Sequence, residues 1–599
     1  MYKKIRHRLF NYLLLFLISN FLFSSNQEYI EGIVLDSENK EHLIGVNIVS
    51  EKNATATDQD GYYKFSFTSD TLLTFTYIGY EPKKIKLQEL NLDSTQVLNV
   101  ELTKKALELG IIVVSASAIE KRIEEETVSI DIIKPYLIKN NNITNMSDAI
   151  EKVPGVKIID EQVSIRNGAG WAFSLGSRVQ VLVDGQSYLS SGTQGVAWGF
   201  IPTEVKQVEI IKGSASVLYG NASLNGIINI LTDWPTSVPQ TSISLYSGFT
   251  DAPNTLGSSW WNNDLVTLSK WWDNSATFPS KKGISFQHKR RIGQNLDFIV
   301  GVRYNQENNY IKFVDKDRIG LDFKVRYRDP HFTGLTYGLN ANIMREVNDR
   351  FIIFDNDTSG LYIPYIDDDD DPPLLFEFVT NNINIVPNIS YTTKNGTLHK
   401  FSSSFFSIIY IEDDVTFPLN TLRGSYQFQK SLLSNDMFTF GSDVAYGWIL
   451  NADLFNQLEP YTITKSFYSQ YEREFGNLRI SVGARIENYE IQNIPIDDID
   501  SAIYFPTTSV PPDGMNFELD TIKYDIKESF NASSGLIKRI GVNYNITPAL
   551  FLRASYGEGY RIPSLLERYM KTANYDGDDF FATQNPVLKP ESGSSSEIG

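Results

Sequence analysis

The chain has 599 residues, 54 Lys+Arg against 72 Asp+Glu (net 54 − 72 = −18), no Cys, and 36 Phe, 32 Tyr and 8 Trp. The acid excess argues against a nucleic-acid binder, which needs a basic face for phosphates, and zero Cys removes disulfides, thiolate zinc sites, iron–sulfur clusters and cysteine nucleophiles. No apolar run reaches the ~18 residues of a membrane helix, but strands that are only half apolar leave a transmembrane β-barrel open. His7, His42, His288, His331 and His399 are scattered and no H-E-x-x-H occurs, so no metal centre and no cofactor are expected.

In chain order, Lys3, Lys4, Arg6 and Arg8 precede an apolar stretch from Leu9 to Phe23, the pattern of a secretory signal over residues 1–25. Residues 27–104 read as short strands between turns: Ile30, Val34, Val46, Ile48 and Val49 are strand formers and Asp60-Gly61 is a hairpin signal. This spacing predicts a small β-sandwich. Its I-x-G-x-V opening, T-D-x-D-G-x-Y-x-F stretch and Y-x-G-Y ending resemble the carboxypeptidase regulatory-like domain, which implies an accessory module without peptidase activity. Residues 105–126 form a linker with a β-prone core, Ile111 to Ser115, between charged flanks. Such a segment could add itself to a partner's sheet edge, or serve as one more strand of the preceding domain.

Residues 127–235 predict a mixed α/β unit. Its order is a strand at Thr127–Ile133, a helix at Ser147–Val153, strands at Val156–Ile159 and Val163–Arg166, then R-V-Q-V-L-V-D-G with its Asp184-Gly185 turn. A short helix starting at Pro202, a strand Gln207–Lys212, a helix in S-A-S-V-L-Y-G and a closing strand in G-I-I-N-I-L-T follow. Gly168-x-Gly170 is followed by Phe173 rather than a third glycine, so there is no dinucleotide fingerprint. Glycines 213, 220 and 226 suit tight turns, and Arg166, Glu204, Glu209 and Lys212 suggest a structural salt-bridge set.

D-A-I-E-K-V-P-G-V (148–156), V-S-I-R-N-G-A-G (163–170), V-L-V-D-G (181–185) and V-E-I-I-K-G-S-A-S-V-L-Y-G-N-A-S-L-N-G-I-I-N-I-L-T (208–232) resemble the plug domain of TonB-dependent outer-membrane receptors. The resemblance implies that Ile111, Ile112, Val113, Val114 and Ser115 are the TonB box. It implies a structural role for Arg166, Asp184, Gly185, Glu209, Gly213, Tyr219, Gly220 and Gly226. It places Trp171, Phe173, Tyr188 and Trp198 in apex loops beneath the substrate, as candidate ligand contacts. The family usually has Arg-Gly where this chain has Arg166-Asn167-Gly168, which moves the turn by one residue.

From 236 to 599 strict alternation recurs. Leu296, Phe298, Val300, Val302 and Tyr304 alternate with Asp297, Ile299, Gly301 and Arg303; Leu321, Phe323, Val325 and Tyr327 alternate with Asp322, Lys324 and Arg326. Short links (292–295, 330–333, 392–397, 431–436, 475–477, 547–548) alternate with mostly long ones (250–282, 306–320, 346–377, 449–463, 491–530), the pattern of periplasmic turns and external loops. The map holds about thirteen strands and the start of another, and a closed barrel needs an even set, so the expectation is an incomplete barrel in a C-terminally truncated sequence. Acidic runs (Asp367–Asp371; Asp497, Asp498, Asp500; Asp576, Asp578, Asp579) read as solvated loops, and Trp260, Trp261, Trp271 and Trp272 as an interface girdle or loop packing.

The expected fold is thus mainly β: an antiparallel transmembrane barrel with an α/β plug and an N-terminal β-sandwich extension in the periplasm. The resemblance implies TonB-driven import of a ferric siderophore or similar metal chelate across a bacterial outer membrane, with TonB, membrane lipid and lipopolysaccharide as partners, and no catalytic residue. An oligosaccharide importer, or an adhesion or signalling barrel, is the alternative.

Overall fold

The computed structural model describes residues 28–37, 40–50, 53–67, 72–77, 80–87, 97–103, 112–113, 121–140, 143–159, 161–168, 176–202, 205–251, 255–256, 266–267, 270, 272, 278–351, 375–412, 415–433, 435–450, 459–492, 529–547, 550–569, 572–576, 579–583 and 588–599. The signal segment lies outside them. The chain forms two compact units, the first ending at Leu109 and the second beginning at Gly110.

The first unit is the expected sandwich. A three-stranded sheet (Tyr62–Phe67, Glu28–Asp36, Val100–Leu102) faces a four-stranded one (Ala54–Ala56, Asn47–Val49, Leu72–Thr76, Lys83–Lys86). Ile30, Val34, Ile48, Tyr63, Phe65, Leu73 and Phe75 fill the space between them. The Asp60-Gly61 turn is present but does not close a hairpin, because its flanking strands belong to different sheets. The Asp58 carboxylate holds the turn instead, accepting from the Asp60 and Tyr62 amides at 2.8 and 3.0 Å.

The second unit starts with the plug. Its sheet has the order Ile130–Ile133, Gln207–Lys212, Gly226–Leu231, Val179–Val183, Gln186–Ser187, with Val179–Val183 parallel to Gly226–Leu231 and the other pairs antiparallel. The strands Val179–Val183, Gln207–Lys212 and Gly226–Leu231 are buried on both faces, with Gln180, Glu209 and Asn229 buried among their apolar residues. A hairpin, Val156–Ile159 with Gln162–Ile165, and short helices at Pro135–Asn140, Met146–Ile150 and Ser216–Tyr219 complete it. The helix expected at Pro202 is absent among the described residues. A 3-10 turn at Trp198–Phe200 precedes it and Ile201 is extended, as a residue before proline should be.

The rest forms one antiparallel sheet of fourteen strands in chain order. We number them β1 (Gln240–Phe249), β2 (Ser280–Ile292), β3 (Leu296–Asn308), β4 (Asp315–Arg328), β5 (Leu335–Phe351), β6 (Leu375–Thr392), β7 (Leu398–Glu412), β8 (Val415–Lys430), β9 (Asp436–Ile449), β10 (Tyr461–Phe475), β11 (Leu478–Gln492), β12 (Ser529–Thr547), β13 (Leu550–Arg561) and β14 (Glu591–Ile598). Each pairs with its sequence neighbour, and β1 and β14 are the two edges. The sheet wraps the plug with its apolar face outward. Leu321, Phe323 and Tyr327 of β4 are 49%, 42% and 42% exposed, while Lys324, Arg326 and Arg328 between them are buried against the plug side. That is the sense of a membrane barrel, opposite to a water-soluble sandwich.

The long loop expected at 306–320 is mostly strand: β3 runs to Asn308 and β4 starts at Asp315. A strand needs only about 9–11 residues to cross the bilayer. Beyond it both faces meet water, so the ladder continues while the alternation fades.

Candidate coupling and transport site

The segment expected to couple the plug to an external partner is described at Ile112–Val113. Among the described residues these two pair antiparallel with Lys121–Arg122. Val113 is fully buried and packs with Val128, Ile130, Leu182, Ile211 and Ile227 on the plug. Ile111, Val114 and Ser115 lie outside the described residues. The following residues are tied to the barrel wall by ion pairs, Lys121 with Glu472 of β10 and Glu125 with Arg479 of β11 at 2.9 Å. Both wall residues sit beside the short β10–β11 turn. The extended segment is therefore moored at the turn end of the barrel, the end of the short links.

Arg166 and Asn167 both have positive φ (54° and 57°), so the one-residue shift relative to Arg-Gly is accommodated by an asparagine in the left-handed region. The Arg166 side chain meets Glu597 of β14 at 3.2 Å. The salt-bridge set expected among Arg166, Glu204, Glu209 and Lys212 does not form among the described residues. Lys212 pairs with Asp131 at 2.6 Å, fully buried Glu209 accepts from Gln207, and Glu204 lies outside them. Residues adjacent in a motif here face different neighbours, because alternate strand positions point to opposite faces.

Asp184 and Gly185 form the predicted tight turn, with φ of 49° and 79°. The Asp184 carboxylate accepts from the amide and hydroxyl of Thr232 (2.8 and 2.6 Å) and pairs with Lys324 of β4 at 2.9 Å. It thus ties the sheet turn to the segment by which the plug enters the barrel. Trp234 in that segment lies under Lys324 and Arg326, 4.0 and 4.4 Å from its ring centre. Gly213, Gly220 and Gly226 all have positive φ, and a Cβ at Gly226 would stand 2.3 Å from the Ile211 carbonyl oxygen. Tyr219 ends the short helix Ser216–Tyr219, and burial pushes its hydroxyl pKa up.

Of the candidate ligand contacts, Trp171 and Phe173 lie outside the described residues. Tyr188 and Trp198 are buried. Tyr188 packs on Phe200 and on Phe406 of β7 and donates to Asn342 Oδ1 of β5 at 2.7 Å; burial raises its pKa. The Trp198 indole donates to the Glu161 carbonyl at 2.7 Å.

Several fastenings were not read from the sequence. After β13 the chain turns inward, and the helix Leu565–Tyr569 seats on the plug's loops. Gln194 donates to the Ile562 carbonyl (2.8 Å), the Ile562 amide to Asn221 (2.8 Å), and the Leu566 amide to the Gly192 carbonyl (3.1 Å). Arg561 joins Glu567 and Glu591, and Glu591 also holds Arg178 of the plug at 2.7 Å. Fully buried Asp297 gathers Arg291, Arg326 and Arg328 at 2.8, 2.6 and 2.6 Å. The sequence signal for these was the charge on the inward half of each alternating strand. Of the acidic runs, Asp576 and Asp579 sit opposite each other in a small hairpin, and 367–371, 497–500 and 578 lie outside the described residues. Trp260, Trp261 and Trp271 also lie outside them, and Lys270 stands over the Trp272 ring.

Three family models match the chain: a CarboxypepD_reg-like domain over 30–114, a TonB-dependent receptor plug domain over 122–227, and a TonB-dependent receptor-like β-barrel over 232–599. The TonB-dependent receptor SusC of Bacteroides thetaiotaomicron is 23% identical over 366 residues, 54% of this chain and 34% of that protein. The vitamin B12 transporter BtuB of Vibrio vulnificus is 22% identical over 502 residues, 82% of this chain and 67% of that protein. Among solved structures, the siderophore receptor PirA of Pseudomonas aeruginosa aligns with a TM-score of 0.55 at 14% identity, covering 78% of this chain and 70% of that one. The chain thus spans about a third of the length of SusC and two thirds of BtuB.

Proposed function

The chain belongs to the TonB-dependent receptor family, and on that premise we propose that it imports a scarce solute, a ferric siderophore or similar metal chelate, across a bacterial outer membrane. The observation that carries this reading is a folded domain fastened inside an outward-apolar barrel, with an extended strand moored beneath it. A lumen so filled passes nothing large until the plug shifts, and a strand paired on one edge among the described residues is a handle for a partner that adds to it. Residues 111–115 are that handle and TonB is the partner. Ligand bound outside loosens the mooring at Val113, TonB pairs with the freed strand, and force draws the plug aside. The outward face meets lipid, the external loops meet lipopolysaccharide, and the sandwich hangs in the periplasm. Trp171 and Phe173 contact the ligand, while Tyr188 and Trp198 hold the apex loops in place. No bond in the solute is made or broken.

A second reading, an oligosaccharide importer, is favoured by the amides Asn340, Asn342, Asn382 and Asn384 on the inner wall. The test is uptake of labelled ferric chelates, cobalamin and an oligosaccharide by cells with and without the full-length gene. Gene-dependent chelate uptake supports the first reading; gene-dependent glycan uptake alone replaces it with the second; uptake of none overturns both.

A further inference from the structure

One seat of the plug on the wall is apolar. The plug's 3-10 turn Trp198–Phe200 lies against β5. Met344 of β5, with Phe406 and Ile408 of β7, joins Val196, Trp198, Phe200 and Ile201 of the plug in one buried cluster. β6 runs between β5 and β7, and the ladder places Asn382 directly between Met344 and Ile408. Residues paired across an antiparallel ladder share a face, so Asn382 is turned inward with them. It is 0% exposed, and neither its Oδ1 nor its Nδ2 has a hydrogen-bond partner among the described residues.

The next inward position of β6 toward the short turn is Asn384, which stands between Asn342 and Phe406. Asn384 lines a cavity of about 350 Å³ together with Tyr188, Asn340 and Asn342. A polar cavity of that size holds water, so the Asn384 amide can be met there. Asn382 does not line that cavity, and its ladder neighbours on both sides are apolar. A buried amide without a partner carries its desolvation cost in full. One residue type, two positions apart on one strand and on one face, thus has two energetic settings.

We infer that Asn382 is a release residue: its unmet amide is carried only while the plug is seated, and it regains water when the plug moves off β5–β7. The apolar contacts of the seat favour the closed plug, and Asn382 offsets part of that preference. The closed-to-open ratio is thereby held about 5- to 100-fold below that of an all-apolar seat. The sign is the reverse of an ordinary structural role, because an apolar residue at this position tightens the plug instead of loosening it. The energetic effect needs only a plug inside its barrel; its part in import rests on the reading above.

The test uses the full-length protein, purified and in cells. In the purified protein, plug release is followed as cleavage of the plug by trypsin in rising urea, with the barrel's folding checked at each step by heat-modifiable migration. Asn382→Leu should raise the urea concentration at which the plug is cut. Asn382→Val, a smaller side chain, covers the case in which leucine overfills the seat. Asn384→Leu, facing the cavity, should give no rise. A rise with either apolar residue at 382 and none at 384 supports the inference. No rise with both apolar residues at 382, or a rise as large at 384, would overturn it. In cells, uptake of labelled ferric chelates, cobalamin and an oligosaccharide is compared at matched surface amounts of each variant. For whichever of these probes the unaltered chain carries, Asn382→Leu should leave surface binding unchanged and slow uptake several-fold. A raised urea midpoint beside unslowed uptake would overturn the release role. Gene-independent uptake of all three probes would overturn the import reading and leave the urea comparison standing.

Discussion

The plug and the barrel wall use the same residue types in opposite senses. In the plug, Val181, Ile210 and Ile228 are buried in a core. In the wall, Leu321, Phe323 and Val482 face outward, and Asp297, Arg326 and Arg485 face in. The plug obeys water; the wall obeys lipid outside and polar contact inside. The consequence is an energetic division of labour. The plug is held together by apolar packing, whereas plug and wall are held to each other by apolar contacts at Met344, Phe406 and Ile408 and by charges and hydrogen bonds, such as Asp184–Lys324, Arg178–Glu591 and Arg423 on the Ser187 and Leu189 carbonyls. Polar contacts can be exchanged for water at modest net cost, so these fastenings can part without disturbing the packing of Val181, Ile210 and Ile228 within the plug sheet.

Substitutions should separate the two regions. The largest effect is expected at Asp297→Ala. It takes the carboxylate from two buried guanidinium groups, Arg326 and Arg328, and from partly exposed Arg291, and removal of one partner of a buried charge cluster costs about 3–5 kcal/mol. Heat-modifiable migration and urea unfolding of the barrel should both register it. Leu321→Arg comes next, at about 2–4 kcal/mol near the bilayer midplane, measured in lipid. The same substitution should be far milder in the water-exposed extension of that strand, and equal costs would break the inside-out reading. Ile228→Val should cost about 0.5–1.5 kcal/mol, visible as faster proteolysis of the plug with barrel unfolding unchanged, whereas Ile319→Val on the outward face should alter neither.

The smallest effect is expected in the sandwich. Tyr62 donates to Glu31 at 2.7 Å and Lys64 sits at 3.0 Å, which holds the Glu31 carboxyl below its usual range. A depressed folded-state value gives stability that is present above the unfolded pKa of about 4.3 and lost as pH falls through the folded value. The pair is partly exposed, so its worth is below about 1 kcal/mol. Glu31→Gln should lower the sandwich's stability at neutral pH by less than about 1 kcal/mol, leave it unchanged at low pH, and so flatten the acid limb of its unfolding.

What the sequence disclosed follows the same division. Alternation placed the barrel strands near 296–305 and 321–329 because lipid imposes a period of two on one face. The plug's motif wording located Asp184-Gly185 and the strand at Gln207–Lys212. Alternation says which face a residue occupies, not whom it meets. The three arginines on Asp297 come from β2 and β4, and Arg166 finds Glu597 more than four hundred residues away. Extension of β3 to Asn308 and of β4 back to Asp315 was hidden because strands in water need no apolar face. The inward helix Leu565–Tyr569 was hidden because its apolar residues answer to the lumen, not to a period of its own.

The central claim is that the plug is worked through the strand moored at Val113. It is tested most directly by uptake of the ligand that the full-length protein carries, in cells with Val113→Pro. Proline removes the backbone donor that an added strand would use. The account predicts that ligand still binds the cell surface with unchanged affinity while energised uptake is lost. Uptake at the normal rate through the proline variant would contradict it.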